Sequence, residues 1–189
     1  MPLIQTAPPE TEPITVAEAK THLRVTHDSD DVYIGKLIAA ARRACEQRLN
    51  LRLITQNWSL YVDRWPGIGA LMLCLAPVSA IDDVVIYGED GTPALLDPAH
   101  YVLDHVSRPA RLALRADRPR PQPGRMLNGI EVKMTVGFGP TAEDVPQEIR
   151  QAILVTVSHW YDRRGEGEGA SLPLAALELL TPHRPARVA

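Results

Sequence analysis

Between Asp30 and Leu49 the apolar residues Ile34, Leu37, Ile38, Ala41, Cys45 and Leu49 fall three and four apart. That is the repeat of a helix with one buried face. Lys36, Arg42, Arg43, Glu46 and Gln47 lie largely off that stripe and are assigned to a solvated or partner-facing side. The spacing predicts a helix over 30–49, stopped near Asn50. A shorter helix is predicted over 15–25, where Thr15 and Glu18 have the spacing of a capping box. Between the two, the run His27-Asp28-Ser29-Asp30-Asp31 lacks the turn glycine and distant glutamate of a calcium loop. It reads as an acidic N-cap facing the positive end of the helix dipole.

The middle of the chain changes period. Trp58, Leu60 and Val62 alternate, as do Leu71, Leu73 and Leu75, and Ile130, Val132, Met134 and Val136. VVIY, RLALR and YVLD are further short strand candidates, and GEDGT around Asp90-Gly91 has the residues of a hairpin turn. Period two broken by Pro, Gly and Asp predicts an antiparallel β unit over about 54–137. RADRPRPQPGR reads as a basic, proline-rich loop, since proline donates nothing to a sheet ladder. The helical period then returns. Pro146 suits a first turn, Asp144 and Gln147 resemble a capping pair, and Ile149, Ala152, Ile153, Val157 and Trp160 share one face of a helix over 146–164. Ile149, Ile153 and Trp160 are expected to brace the core. Arg163 and Arg164 follow, where they either stabilise the helix end or meet a neighbouring subunit. GEGEGAS is a flexible break, LPLAALELL a short amphipathic helix and TPHRPARVA a basic tail.

The fold class expected is α+β: a helical bundle of two N-terminal helices, one long helix and a C-terminal helix, with an inserted antiparallel β unit. Residues 1–13 are expected to form an extended arm, 14–164 the body, and 165–189 a flexible linker, docking helix and tail. A formal net charge of −3 argues against broad, charge-driven nucleic-acid binding. Cys45 on a helical stripe and Cys74 in an apolar strand read as two buried reduced thiols, and their spacing forms no metal motif. No apolar run reaches membrane-spanning length, and a reducing, cytoplasm-like compartment is expected.

Candidate chemistry is sparse. G-x-S-x-G, H-E-x-x-H, G-x-G-x-x-G and the P-loop are absent. His22, His27, His100, His105, His159 and His183 are scattered, and no nucleophile stands beside His159. Asp82 and Asp83 are read as exposed at a strand start. No enzyme, cofactor or metal site is expected. Two competing readings are a small-ligand or nucleic-acid-binding domain using the β face and the basic loop 115–125, and a hydrolase resting on scattered His and Asp residues.

Five stretches, taken in order, carry more: ITVAEAKTHLRVTHDSDD, AARRACEQRLNLRLITQNWSL, LAPVSAIDDVVIYGEDG, IEVKMTVGFGPTAEDVPQEIRQAILVTVSHWYDRRGE and LPLAALELLTPHRPARV. Together they resemble head–tail connector (adaptor) proteins of long-tailed phages and of phage-like gene transfer agents, from about Ile14 to Val188. The segment RADRPRPQPGRMLNG departs from that pattern. The resemblance implies a non-enzymatic virion protein of the head–tail neck, assembled in the bacterial host cytoplasm. It implies a homo-oligomeric twelve-fold ring under the portal, extending the DNA channel and offering a platform for the stopper or tail-completion protein. Double-stranded DNA would pass the lumen without sequence-specific binding, which suits a lumen without a continuous basic stripe. The C-terminal segment would dock on the portal through Leu172, Leu174, Leu177 and Leu180, with His183, Arg184 and Arg187 as its polar part; Leu177 and Leu180 are its expected buried anchors. Arg42, Arg43, Arg118, Arg120, Arg163 and Arg164 are the expected contacts to a neighbouring subunit or protein.

Overall fold

Side-chain alternation along Ile130–Val136 organises the β unit. In the computed structural model, which describes residues 1–164 and 171–184, this strand is β8 and lies at the centre of a five-stranded sheet. The sheet runs β1 (Leu3–Ala7), β2 (Gln56–Val62), β8, β4 (Val78–Tyr87), β5 (Pro93–Leu95), and every neighbouring pair is antiparallel. A second sheet orders β3 (Leu71–Met72), β7 (Arg111–Leu114) and β6 (Tyr101–Asp104). Ile130, Val132, Met134 and Val136 face a buried cluster with Leu60, Val62, Val84 and Ile86 from the large sheet and Leu71, Tyr101 and Leu112 from the small one. This is a two-sheet core of alternating inward residues.

The other face of the large sheet is polar, and its centre is a buried carboxylate. Glu131 accepts hydrogen bonds from the Ser59 hydroxyl at 2.7 Å, the Tyr61 hydroxyl at 2.9 Å and the Tyr87 hydroxyl at 2.7 Å. Register places Tyr61 directly opposite Glu131 on β2. Burial opposes the ionised form, but the donors Tyr87, Ser59 and Tyr61 outweigh it and hold the carboxyl below its ordinary value. Reciprocally, the bond to Glu131, then burial, pushes the Tyr87 phenol up to about 12. On the same face Lys133 pairs with Asp83 at 3.2 Å, and Asp82 accepts from the Thr135 hydroxyl at 2.9 Å. Asp82 and Asp83 therefore lie within β4 rather than at its start, each engaged with β8.

The helical unit gathers residues 10–54 and 139 onward. Helices α1 (Val16–Leu23), α2 (Asp31–Leu49), α3 (Gln147–Asp162) and α4 (Leu174–Leu180) supply it. Helix α3 packs against α1, α2 and α4. Its buried residues Ile149, Ala152, Ile153 and Val157 repeat at helical spacing, as do Ile34, Ile38, Ala41, Cys45 and Leu49 on α2. The Thr15–Glu18 capping box forms at the start of α1.

Several expectations are corrected. Leu3–Ala7, assigned to an extended arm, is an edge strand hydrogen-bonded to β2. Its five residues contain no charge and one good alternation, too little for a periodic signal. Arg42 and Glu46 are not solvated: both are only 5% exposed. The Arg42 guanidinium donates to Glu46 at 2.8 Å and to Glu12 at 2.7 Å, while the second Glu46 oxygen accepts the Leu53 amide at 2.9 Å. This network ties α2 to the segments on either side of it in sequence. Asp144 does not cap α3; it closes a box with Thr141 on the preceding 3-10 turn, and Pro146 is the N-cap. Cys45 is buried, and burial pushes its thiol up to about 12. Cys74 is exposed, because it falls on the outward phase of the Leu71, Leu73, Leu75 alternation. Trp160 is half-buried and donates its indole N–H to the Ser171 carbonyl at 3.3 Å. Ile149 and Ile153 are fully buried braces.

Two measurements test these accounts. Glu46→Ala leaves Arg42 with Glu12 alone and strands the buried Leu53 amide; chemical denaturation should show a loss of about 3 kcal/mol. Glu131→Gln should lower stability at pH 7 by about 1–3 kcal/mol. Because the folded Glu131 value is depressed, its contribution is present above the unfolded value and is lost as pH falls through the folded one. The difference between wild type and variant should therefore shrink in the acid range, and a difference that stays constant would contradict this account.

Candidate docking and subunit surfaces

Helix α4 is apolar nearly all round: Glu178 is the one charge in Leu174–Leu180. A helix of that composition has apolar residues on more than one side. One side is covered within the chain, where Ala176 and Leu180 are buried and α4 packs on α3. Leu180 therefore serves the chain's own core, not an outward anchor. Leu174 points away and is 72% exposed. Leu172, Leu177 and Leu179 are half-buried. Between α3 and α4 an open cleft is lined by Glu148, Ala175, Glu178, Leu179 and Pro182. After α4 a 3-10 turn, Thr181–His183, brings His183 Nε2 within 3.5 Å of the Glu148 carboxylate. Arg184 is exposed, and Arg187 lies outside the described residues. The linker 165–170 and the tail from 185 lie outside them too.

At the other end of α3 the structure assembles a cluster that the sequence reading missed. Asp30, the residue before α2, makes no capping bond. Its carboxylate instead accepts the Tyr161 hydroxyl at 2.5 Å and the Arg164 guanidinium at 2.7 Å. The Arg164 group also lies over the Tyr161 ring at 3.9 Å and the Tyr33 ring at 4.6 Å. Tyr33 and Tyr161 stand 6.2 Å apart between ring centres. The bonds from Arg164 and Tyr161 hold the Asp30 carboxyl below its ordinary value, and the Asp30 bond holds the Tyr161 phenol above its own. The signal was in the spacing: Asp30 and Tyr33 stand three apart across the start of α2, and Tyr161 and Arg164 three apart across the end of α3. Of the two alternatives for Arg164, the intrachain one is occupied. Arg163 and Arg43 are exposed.

The basic loop between β7 and β8 is fastened to its own unit. Arg120 donates to the Pro66 and Gly67 carbonyls at 2.5 and 3.1 Å. Arg125 lies over the Tyr87 ring at 4.7 Å. Gly124 donates to the Tyr87 carbonyl at 2.9 Å, and a side chain at Gly124 would strike the Glu89 backbone. Arg118 is exposed, as are Ile68, Met126 and Leu127. Two of the arginines that a phosphate would need are thus engaged with carbonyls and a ring. Among the described residues no cluster of three or more His, Cys, Asp or Glu side chains has the geometry of a metal site. No helix among them is long and apolar enough to cross a membrane.

Against known proteins, the family model described as "Head completion protein" matches residues 12–172. No curated protein matches the chain. Among solved structures, a chain in the neck of an empty gene transfer agent (GTA) particle, computed with C6 symmetry, is 22% identical with a TM-score of 0.84. A chain in the virion of a native GTA particle is 24% identical with a TM-score of 0.81. A chain in the neck of a native GTA particle, computed with C12 symmetry, is 25% identical with a TM-score of 0.80. In each case the match covers 100% of this chain and 98% of the other. The fold is that of these neck proteins from end to end. With the family model spanning most of its 189 residues, this chain belongs to the head completion protein family.

Proposed function

We propose that the chain is the structural head–tail adaptor of a phage-like particle, acting without catalysis, as a ring of identical copies in the neck. The ring sits under the portal, continues the DNA channel, and presents a platform to the stopper or tail-completion protein. Membership in the head completion family and an end-to-end fold shared with GTA neck chains support this reading. The net charge of −3 suits a channel through which DNA slides without being held.

The observation that carries the portal contact is the second apolar side of α4. Ala176 and Leu180 are used inside the chain, while Leu174 is left in solvent and Leu172 and Leu177 are half-covered. Those three leucines, with His183 and Arg184 beside them, are the portal-facing set. A helix of seven residues is marginal alone; folded against α3, it meets the portal with little ordering cost. Repetition around a ring then multiplies a modest contact into a firm one.

The test is the mass of the purified chain, alone and mixed with its cognate portal, by light scattering. A complex carrying multiple copies is expected. Leu174→Asp should weaken portal binding at least tenfold, about 1.4 kcal/mol, with an unchanged melting temperature. Leu180→Asp should instead unfold the chain, since it buries a charge in the core. Unimpaired portal binding by Leu174→Asp would overturn the assignment of this face.

A further inference from the structure

The large sheet has five strands, all antiparallel to their neighbours, so its two edge strands β1 and β5 run in the same direction. Among the described residues neither has a partner on its outer side. Open edges are blunted by charge, by short strands, by bulges or by proline. Strand β5 is only three residues long and begins at Pro93, and β1 shifts register between Gln5 and Ala7. Each edge thus limits the length of any added strand, while charge is missing from both. Here β1 reads LIQTA and β5 reads PAL, and neither contains a charged residue.

The hydrogen bonds fix which backbone groups point outward. Tyr61 donates to the Pro2 carbonyl at 2.9 Å, so Pro2 and Ile4 turn their groups toward β2, and Leu3 and Gln5 turn theirs toward the open edge. On β5, Leu96 donates to Val84 at 2.8 Å and Gly88 to Thr92 at 2.9 Å. Thr92, Ala94 and Leu96 therefore face β4, and the outward groups are the Pro93 carbonyl and the Leu95 N–H and carbonyl. Side chains follow the same logic. Ile4 pairs with Ser59, and Leu95 with Val85 opposite Glu131, so both stand on the polar face of the sheet. They are 51% and 71% exposed.

We propose that β1 of one copy lies parallel to β5 of the next and joins their sheets around the ring. This rests on the ring reading above and adds the surface that closes it. Copies related by rotation keep the same sheet face and the same strand direction, as a head-to-tail contact requires. A parallel ladder then forms with no donor missing. Leu3 N–H meets the Pro93 carbonyl, Leu95 N–H meets the Leu3 carbonyl, and Gln5 N–H meets the Leu95 carbonyl. In that register Ile4 stands opposite Leu95, so the two exposed aliphatic side chains cover each other. The contact is an added strand, with backbone bonds giving affinity and one side-chain pair giving register.

The test places Cys at both positions, Ile4→Cys with Leu95→Cys, in a full-length Cys74→Ser background. Within one copy the two sites are four strand spacings apart, roughly 19 Å, too far for a disulfide. Oxidation should therefore give a ladder of covalent multimers on a denaturing gel. An equal mixture of the two single variants should stop at dimers. Gln5→Pro removes one outward donor together with the Gln5 side-chain bond to Gln56 at 2.8 Å, and should abolish the multi-copy species. Gln5→Ala loses the side-chain bond but keeps the outward N–H, and should retain them. Covalent dimers from Ile4→Cys alone would mean that β1 pairs with β1, and would overturn the proposal. So would a double variant that stays uncrosslinked while light scattering still records rings. If the unmodified chain gives no multi-copy species with or without its portal, the ring reading fails, and this proposal with it.

Discussion

A carboxylate cannot be buried in a sheet without donors, and Glu131 finds all three of its donors on the two strands that flank β8. The arrangement constrains more than one side chain. If β2 slipped by one residue against β8, Tyr61 and Ser59 would turn to the other face, and a charge would be left buried without them. The same slip would turn Leu60 and Val62 out of the core. Apolar and polar faces thus demand one register, and each reinforces the other. Tyr87 extends the constraint outward, since its hydroxyl holds Glu131 while its ring carries Arg125 of the basic loop.

The helical unit is organised differently. Its apolar contacts converge on α3, while polar ties fix the ends of the elements. Arg42 and Glu46 join α2 to Glu12 and to the Leu53 backbone; Arg150 reaches the Pro13 carbonyl at 3.0 Å and Glu18 at 2.6 Å. Asp30 and Arg164 join the start of α2 to the end of α3. Helix contacts alone slide easily among neighbouring ridges. Of these ties the Arg42–Glu46 pair is buried, and breaking it carries the larger cost. The Arg150–Glu18 and Arg164–Asp30 pairs are exposed and contribute little individually.

Helices of many turns and strands of clean alternation were legible, because period is a local property. The faces of α2 and α3, the core residues of β8 and the hairpin at Asp90-Gly91 all follow from spacing alone. What escaped depends on partners distant in sequence. Arg42 reads as a surface residue until Glu12 and Glu46 are beside it. Cys74 reads as buried from composition, although its phase against Leu71 and Leu73 already placed it outside. Strand β1 is five residues that acquire meaning only against β2. For the docking surface, composition indicated α4, but which leucines α3 takes and which remain outside is decided by packing. Leu180, expected among the docking residues, is taken into the chain's own core, while Leu174 of the same set stays in solvent.

Pro93 sits on an open sheet edge with its carbonyl outward and no N–H to offer. If two β5 strands met antiparallel about a two-fold axis, each Pro93 would stand against the other copy's Leu95. Two of the four possible bonds would be missing. In the parallel register the ladder opens at the Pro93 carbonyl, and the absent donor would face Met1, which lies before β1 begins. The imino ring thus works as a polarity filter: it penalises a self-complementary, dead-end pair while leaving directional, head-to-tail growth untouched.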